Sequence, residues 1–205
     1  MNFLAHALLA APDASLIAGG VLGDWIKGPL TRQTLPPDLL RGVALHRAID
    51  AFADRDPAFL RSRARISAAR RRWSGVLIDM FYDHLLAAQW ADWHDDALPI
   101  FTQEVYAALA KSQSGLAADL SPVLGLMATE DWLGSYASVA GLQAILLRMS
   151  RRARQPNPLA DGIEELQDHY AGFATDFAEF MPTARVFVAD WLSRAPPTSG
   201  SASTS

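Results

Sequence analysis

The sequence predicts an all-α fold, a single domain built as a bundle of about eight to ten helices. Apolar residues recur at spacings of three and four through most of the chain. No stretch shows the period-2 alternation between turn residues that marks a strand. Proline and glycine fall between the periodic runs, where helices start and stop.

Asn2 to Ala10 reads as a short apolar helix interrupted by His6. Alone, such a histidine is most simply a core residue with one hydrogen bond. Asp13 is a fitting N-cap for a helix over about Ala14 to Ile26. Gly19, Gly20 and Gly23 on it permit close packing of a neighbour. No strand precedes these glycines and their spacing does not match a dinucleotide-binding loop. Asp24 falls at the C-terminal end of this helix, where the dipole disfavours a carboxylate. Either Lys27 or a metal ion would compensate it.

Gly28-Pro29 ends that segment, and Pro36-Pro37 opens a helix over about Asp38 to Asp54. Leu39, Val43, His46 and Asp50 follow a 4-3-4 spacing, the core-facing stripe of a helix. His46 and Asp50 therefore stand where apolar residues belong. A His–Asp hydrogen bond within one helix would account for them. A shared site becomes the better reading because the anomaly recurs. Between Trp73 and Trp93 the pattern is again helical, with Val76, Met80, Asp83, Ala87 and Trp90 on one stripe. Asp79 lies one turn before Asp83, and His84 follows it, about 100° around the helix. Charges among Leu, Phe and Trp are costly unless something pairs them. A metal ion facing both helices, in a hydrolytic site, is one such partner.

Between these helices, Asp56-Pro57 caps a short helix with Arg61, Arg63 and Arg65, and Arg70, Arg71 and Arg72 follow, six arginines in twelve residues. Singly, each is a solvated side chain; together they are a candidate surface for an acidic partner. Pro99 to Lys111 is amphipathic and structural. Gln113 to Leu120 reads as a loop, Ser121 to about Thr129 as a helix, and Glu130 to Tyr136 as its helical continuation. Gly141 to Arg154 is a further helix ending in Arg148, Arg151, Arg152 and Arg154, which suit its C-terminal dipole. Asp161 to Met181 is long and amphipathic, with His169 on or near its inner face. Pro182 is expected to break it before a last helix, Thr183 to Leu192. The residues after 194 are rich in Ser, Thr, Gly and Pro, so the folded domain is expected over 1–194 and disorder over 195–205.

Composition narrows the function. A net charge of -4 over 205 residues does not favour a general nucleic-acid binder. There is no cysteine, so any metal must be held by His, Asp or Glu. Met1 to Ala11 lacks the basic start of a signal peptide, and no uncharged run reaches membrane-spanning length. A soluble cytoplasmic protein is expected.

Several of these segments together resemble the bacterial acyl carrier protein phosphodiesterase family, also called acyl carrier protein hydrolase. They are Met1-Asn2-Phe3-Leu4-Ala5-His6, Gly23-Asp24 with Lys27, Pro36-Pro37-Asp38, His46-Arg47-Ala48-Ile49-Asp50, Asp79 through Asp83-His84, Met149-Ser150-Arg151-Arg152 and His169-Tyr170. The resemblance implies an all-α variant of the HD-domain type of metal-dependent phosphohydrolase, with Asp83-His84 in the reverse of the usual order. It implies hydrolysis of the phosphodiester between 4′-phosphopantetheine and a serine of holo-acyl carrier protein, with Mn2+ preferred and Mg2+ as a substitute. On that basis Asp24, His46, Asp50 and Asp83 are the expected ligand core, with His6 as a further ligand. Asp79 and His84 are candidates for the general base. Lys27 and Arg47 would meet phosphate oxygens, Arg61 and Arg65 the acidic carrier. Arg151 and Arg152 are further substrate-binding candidates. A small phosphoester or nucleotide as substrate, or a non-catalytic helical binding module, are the alternatives.

Overall fold

The computed structural model describes residues 1–113, 115–117 and 120–194. The expected disordered tail, 195–205, and part of the expected loop from Gln113 to Leu120 lie outside the described residues. Among those described, the chain is helical with no strand. Its helices are α1 (Phe3–Ala10), α2 (Ala14–Leu22), α3 (Pro37–Ala53), α4 (Pro57–Arg65), α5 (Ser74–Ala88), α6 (Leu98–Lys111), α7 (Leu120–Thr129), α8 (Val139–Arg152) and α9 (Ile163–Arg194). Short 3-10 turns occur between several of them, including one at Gly134–Ala137.

Helix α5 is the centre of the molecule. Leu77, Ile78, Phe81, Tyr82, Leu85 and Leu86 on it are fully buried. It touches α1, α4, α8, α9 and the 3-10 turn at Gly134–Ala137. The Tyr82 ring meets Phe59 and Phe177 edge-on, and its hydroxyl pairs with Ser62 Oγ at 3.0 Å. These contacts join α4, α5 and α9 through one aromatic layer.

Helices α2 and α3 cross closely because both present glycine at the contact. A Cβ built on Gly19 would lie 2.6 Å from the Gly42 Cα, and one on Gly42 would lie 2.8 Å from the Gly19 Cα. The same crossing carries the turn with Asp24 to the His46 face of α3. Asp13 caps α2 as expected, accepting from the Ser15 and Leu16 N–H groups. The helix stops at Leu22 rather than Ile26, so Asp24 sits in the turn beyond it.

Two expectations about helix ends are corrected. Glu130 to Tyr136 does not continue α7. Asp131 takes a φ of +43°, and its carboxylate accepts from the Gly134 N–H at 3.2 Å and the Tyr106 hydroxyl at 2.8 Å. This local bonding of an aspartate competes with the helical ladder. Pro182 does not end α9 either. Phe180, Met181, Ala184 and Val188 are buried around it, so packing carries the helix past the missing N–H. The departure from helical geometry falls at His169, with φ -127° and ψ 21°.

Candidate metal centre and its cavity

His6 on α1, His46 and Asp50 on α3, and Asp24 after α2 converge. Their meeting begins with α1. The first amides of a helix have no partner within it, and the side chain of Asn2 does not cap them. Asp83 does so from α5, accepting from the Leu4 N–H at 2.8 Å and the Ala5 N–H at 3.0 Å. Asp83 is completely buried, and burial pushes its carboxyl up to about 7 against the opposing pull of these two amides. The pair of bonds fixes α1, and with it His6, against the central helix.

His46 is oriented by the opposite end of a helix. Its Nδ1–H donates to the Gly20 carbonyl at 2.8 Å, one of the carbonyls near the end of α2. A carbonyl only accepts, so this bond places the proton on Nδ1. Nε2 lies 3.2 Å from Asp50 Oδ2 and 3.7 Å from Asp24 Oδ1. A histidine anchored through one nitrogen, with the other turned toward carboxylates, is the usual arrangement of a metal ligand.

The His6 ring stacks on His46 with centroids 4.0 Å apart. Its Nε2 lies 3.0 Å from Asp50 Oδ1, while its buried Nδ1 has no partner among the described residues. Burial holds His6 down to about 3, so the ring is neutral. Burial opposes the charge on Asp50, but His46, His6 and the Met1 amino group together hold its carboxyl far below the ordinary range. One donor atom from each of His6, His46 and Asp50 lies within 4.8 Å of the other two. Two imidazoles with carboxylates and no thiolate make a nitrogen–oxygen set that fits a borderline or hard divalent ion.

The Met1 amino group sits within this acidic cluster, 3.3 Å from Asp50 Oδ1 and 2.9 Å from Asp79 Oδ1. Burial opposes its charge, yet the two carboxylates raise it to about 10. Asp79 is itself raised by burial, an effect the amine opposes. Asp24, Asp50 and Asp79 share the wall of a cavity of about 330 Å³, which continues over Met80, Trp132 and α8.

Most of the other expected site residues lie elsewhere. His84, next to Asp83 in sequence, projects to a different face. Its Nδ1 donates to the Tyr136 carbonyl at 2.8 Å and its Nε2 lies 3.4 Å from the Tyr170 hydroxyl. Arg47 donates to the Ile26 carbonyl at 2.7 Å and so holds the turn that carries Asp24. Lys27 is exposed beside a second cavity, with Trp25 and Leu35. Arg61 and Arg65 pair with the buried Asp176 at 2.9 and 3.0 Å, and Arg61 also pairs with Glu179. Arg63 pairs with Asp54, and Arg70 with Glu164 and Glu165. Much of the arginine run therefore clamps α4 and the following turn to α9. Arg151 is exposed, whereas Arg152 lines the cavity.

Met1, Trp132, Tyr136 and Arg148 also line the cavity. A signal existed for Arg148: Ile145, Arg148, Met149 and Arg152 follow a 3-1-3 spacing that puts them on one side of α8.

A helical domain that brings two imidazoles to Asp50, on a cavity wall shared with Asp24 and Asp79, has the layout of an enzyme with a candidate metal centre. Its sequence matches the family model for acyl carrier protein phosphodiesterase over residues 1–184, and the chain belongs to that family. Similar proteins named acyl carrier protein phosphodiesterase occur in Escherichia coli O157:H7, 29% identical over 187 residues, covering 89% of this chain and 94% of that protein. The Yersinia pestis protein of that name is 30% identical over 184 residues, covering 89% and 95%. That of Photorhabdus laumondii is 28% identical over 187 residues, covering 89% and 92%. No solved structure gives a significant match. Among the described residues, no helix is long and apolar enough to cross a membrane.

Proposed function

We propose that this protein removes the prosthetic group from holo-acyl carrier protein, hydrolysing the phosphodiester between 4′-phosphopantetheine and the carrier's serine. The observation that carries the reading is the convergence of His6 and His46 on Asp50, which itself lines a cavity, in a chain of this family. His6, His46 and Asp50 would hold the metal ion, with Asp24 as a further ligand; manganese is the proposed ion and magnesium its substitute. When bound, such an ion supplies positive charge against the phosphate oxygens and makes water more acidic.

The chain's own groups have separable tasks in this scheme. The Gly20 carbonyl keeps Nε2 of His46 facing Asp24 and Asp50. Asp83 holds α1 and so positions His6. Asp79 lies on the cavity wall, and its raised carboxyl makes it the better placed base for taking a proton from the attacking water. Water adds to phosphorus, the bond from phosphorus to the serine oxygen breaks, and that oxygen leaves with a proton. The products are apo-carrier and free 4′-phosphopantetheine.

The proposed unit is one domain over 1–194, a rearranged relative of the HD type, working in the cytoplasm where its carrier would be. Incubating holo-acyl carrier protein with the enzyme and Mn2+, and following carrier mass, tests the activity. Conversion to the apo mass, blocked by a chelator, is expected. An unchanged carrier, under conditions where a related phosphodiesterase converts it fully, overturns the reading.

A further inference from the structure

The cavity beside the metal cluster extends well past anything a phosphate needs. Its wall beyond Asp24, Asp50 and Asp79 is formed by Val76 and Met80 of α5 and by Ile145 and Met149 of α8. Trp132, Arg148 and Arg152 complete it. Its volume of about 330 Å³ falls at the lower end of the range for small-ligand sites. One polar corner is built around a shared carboxylate. Glu130 Oε2 accepts from Arg148 Nη1 at 2.7 Å and from Trp132 Nε1 at 2.9 Å. Both guanidinium groups lie over the Trp132 ring, at 5.4 Å for Arg148 and 5.8 Å for Arg152. Glu130 thus engages Arg148, whereas Arg152 has no carboxylate partner among the described residues.

We propose that this wall is the binding site for the pantetheine arm of the substrate, with α8 as the element that recognises it. The inference rests on the reading of the protein as a carrier-protein phosphodiesterase and says where the half of the diester that keeps the phosphate lies. Past its phosphate the arm is uncharged. It carries a gem-dimethyl carbon, methylene groups and two amides. Val76, Met80, Ile145 and Met149 offer apolar area for the first two. The amide carbonyls need donors once water is displaced, and Arg152 supplies them at the rim, over the Trp132 ring. A small phosphate alone would leave the apolar wall wet. An apolar chain that begins in a phosphate and carries hydrogen-bond acceptors matches both parts of the cavity.

The test uses the full-length protein with Mn2+ and 4′-phosphopantetheine as the calorimetric probe. Two variants are compared with the wild type. Ile145→Trp fills the apolar wall, and Arg152→Ala removes an exposed side chain whose loss leaves the core untouched. Each is expected to weaken binding of the probe by about tenfold or more, while affinity for Mn2+ measured without the probe stays within about twofold. Wild-type protein that does not bind the probe, or an Arg152→Ala variant that binds it as well as the wild type, overturns the proposal. The two readings fail separately. Hydrolysis of holo-carrier without affinity for the probe would remove the arm site and leave the activity. Probe binding that depends on Ile145 and Arg152, without hydrolysis, would support the arm site and remove the activity.

Discussion

The ring of His46 occupies the space that a side chain on Gly23 would need. A Cβ built at Gly23 would lie 2.7 Å from Nδ1 of His46 and closer still to Cγ and Cδ2. Gly23 is therefore what lets the turn after α2 pass over the imidazole and bring Asp24 to it. Gly23→Ala is expected to displace the ring, break its bond to Gly20 and lower affinity for Mn2+ by about 10–100-fold. Titration of the metal-free protein with Mn2+, followed by electron paramagnetic resonance, measures this. Wild-type affinity in the variant would show that His46 is not a ligand.

Asp50 and Asp83 are both acids on inward stripes, yet they do different work, and substitution separates them. Asp50 stands between two imidazoles and the Met1 amine. Asp50→Asn should remove most metal binding and leave a folded protein. Asp83 has both oxygens committed to the Leu4 and Ala5 amides. Asp83→Asn keeps one acceptor and presents an amide to the other N–H, so it should cost stability of about 1–3 kcal/mol. Urea denaturation of both variants, beside Mn2+ titration of the folded forms, tests the division. Equal loss of metal by both, without loss of stability in Asp83→Asn, would make Asp83 a ligand.

The crossing of α2 and α3 has no room for a methyl group. Gly42→Ala is expected to destabilise the protein by about 1–3 kcal/mol through overpacking against Gly19 and the carbonyls of Ser15 and Leu16. Thermal unfolding of the variant measures it. An unchanged midpoint would mean that the two helices can separate at no cost.

A pH-dependent part of the stability resides in Glu165. Its buried carboxylate accepts from the Ser67 N–H and hydroxyl and from Arg70. Burial raises the carboxyl, but Ser67 and Arg70 outweigh it and hold it below the ordinary value of 4.5. For an acid lowered on folding, the unfolded chain binds more protons between the two values, so stability rises with pH there. The Glu165 contribution is therefore complete above about 4.5 and is lost as pH falls through its depressed value. Glu165→Gln should be less stable than the wild type by about 1–3 kcal/mol at neutral pH, with the difference shrinking in acid. Urea midpoints measured from pH 7 to pH 3 decide it; a constant gap would overturn the assignment.

Much of the helix content was legible because helical periodicity is a local property of the chain. The stripe Leu39, Val43, His46 and Asp50 identified α3 and marked two site residues on it. The Pro36-Pro37 opening and the Asp13 and Asp56 caps located helix starts to within a residue or so. Local signals misled where a distant contact outweighed them. Pro182 reads as a stop, but the burial of Phe180, Met181 and Ala184 keeps α9 whole. The run from Arg61 to Arg72 reads as a free basic face, yet Asp176, Glu164 and Glu165, about a hundred residues further on, engage it.

The sequence by itself determined that the fold is all-α and that acids and imidazoles stand on inward faces of its helices, because those faces follow from a period of 3.6 residues. The resemblance of its motifs named the family. Only the tertiary structure decided which of these groups meet. His6 reaches Asp50 because Asp83 caps α1 from α5, and Asp24 reaches His46 because glycines let α2 lie against α3. His84, beside Asp83 in the chain, faces Tyr136 instead, since neighbours on a helix point about 100° apart. Convergence of side chains depends on how helices cross, and the crossing is set by contacts between residues far apart in the chain.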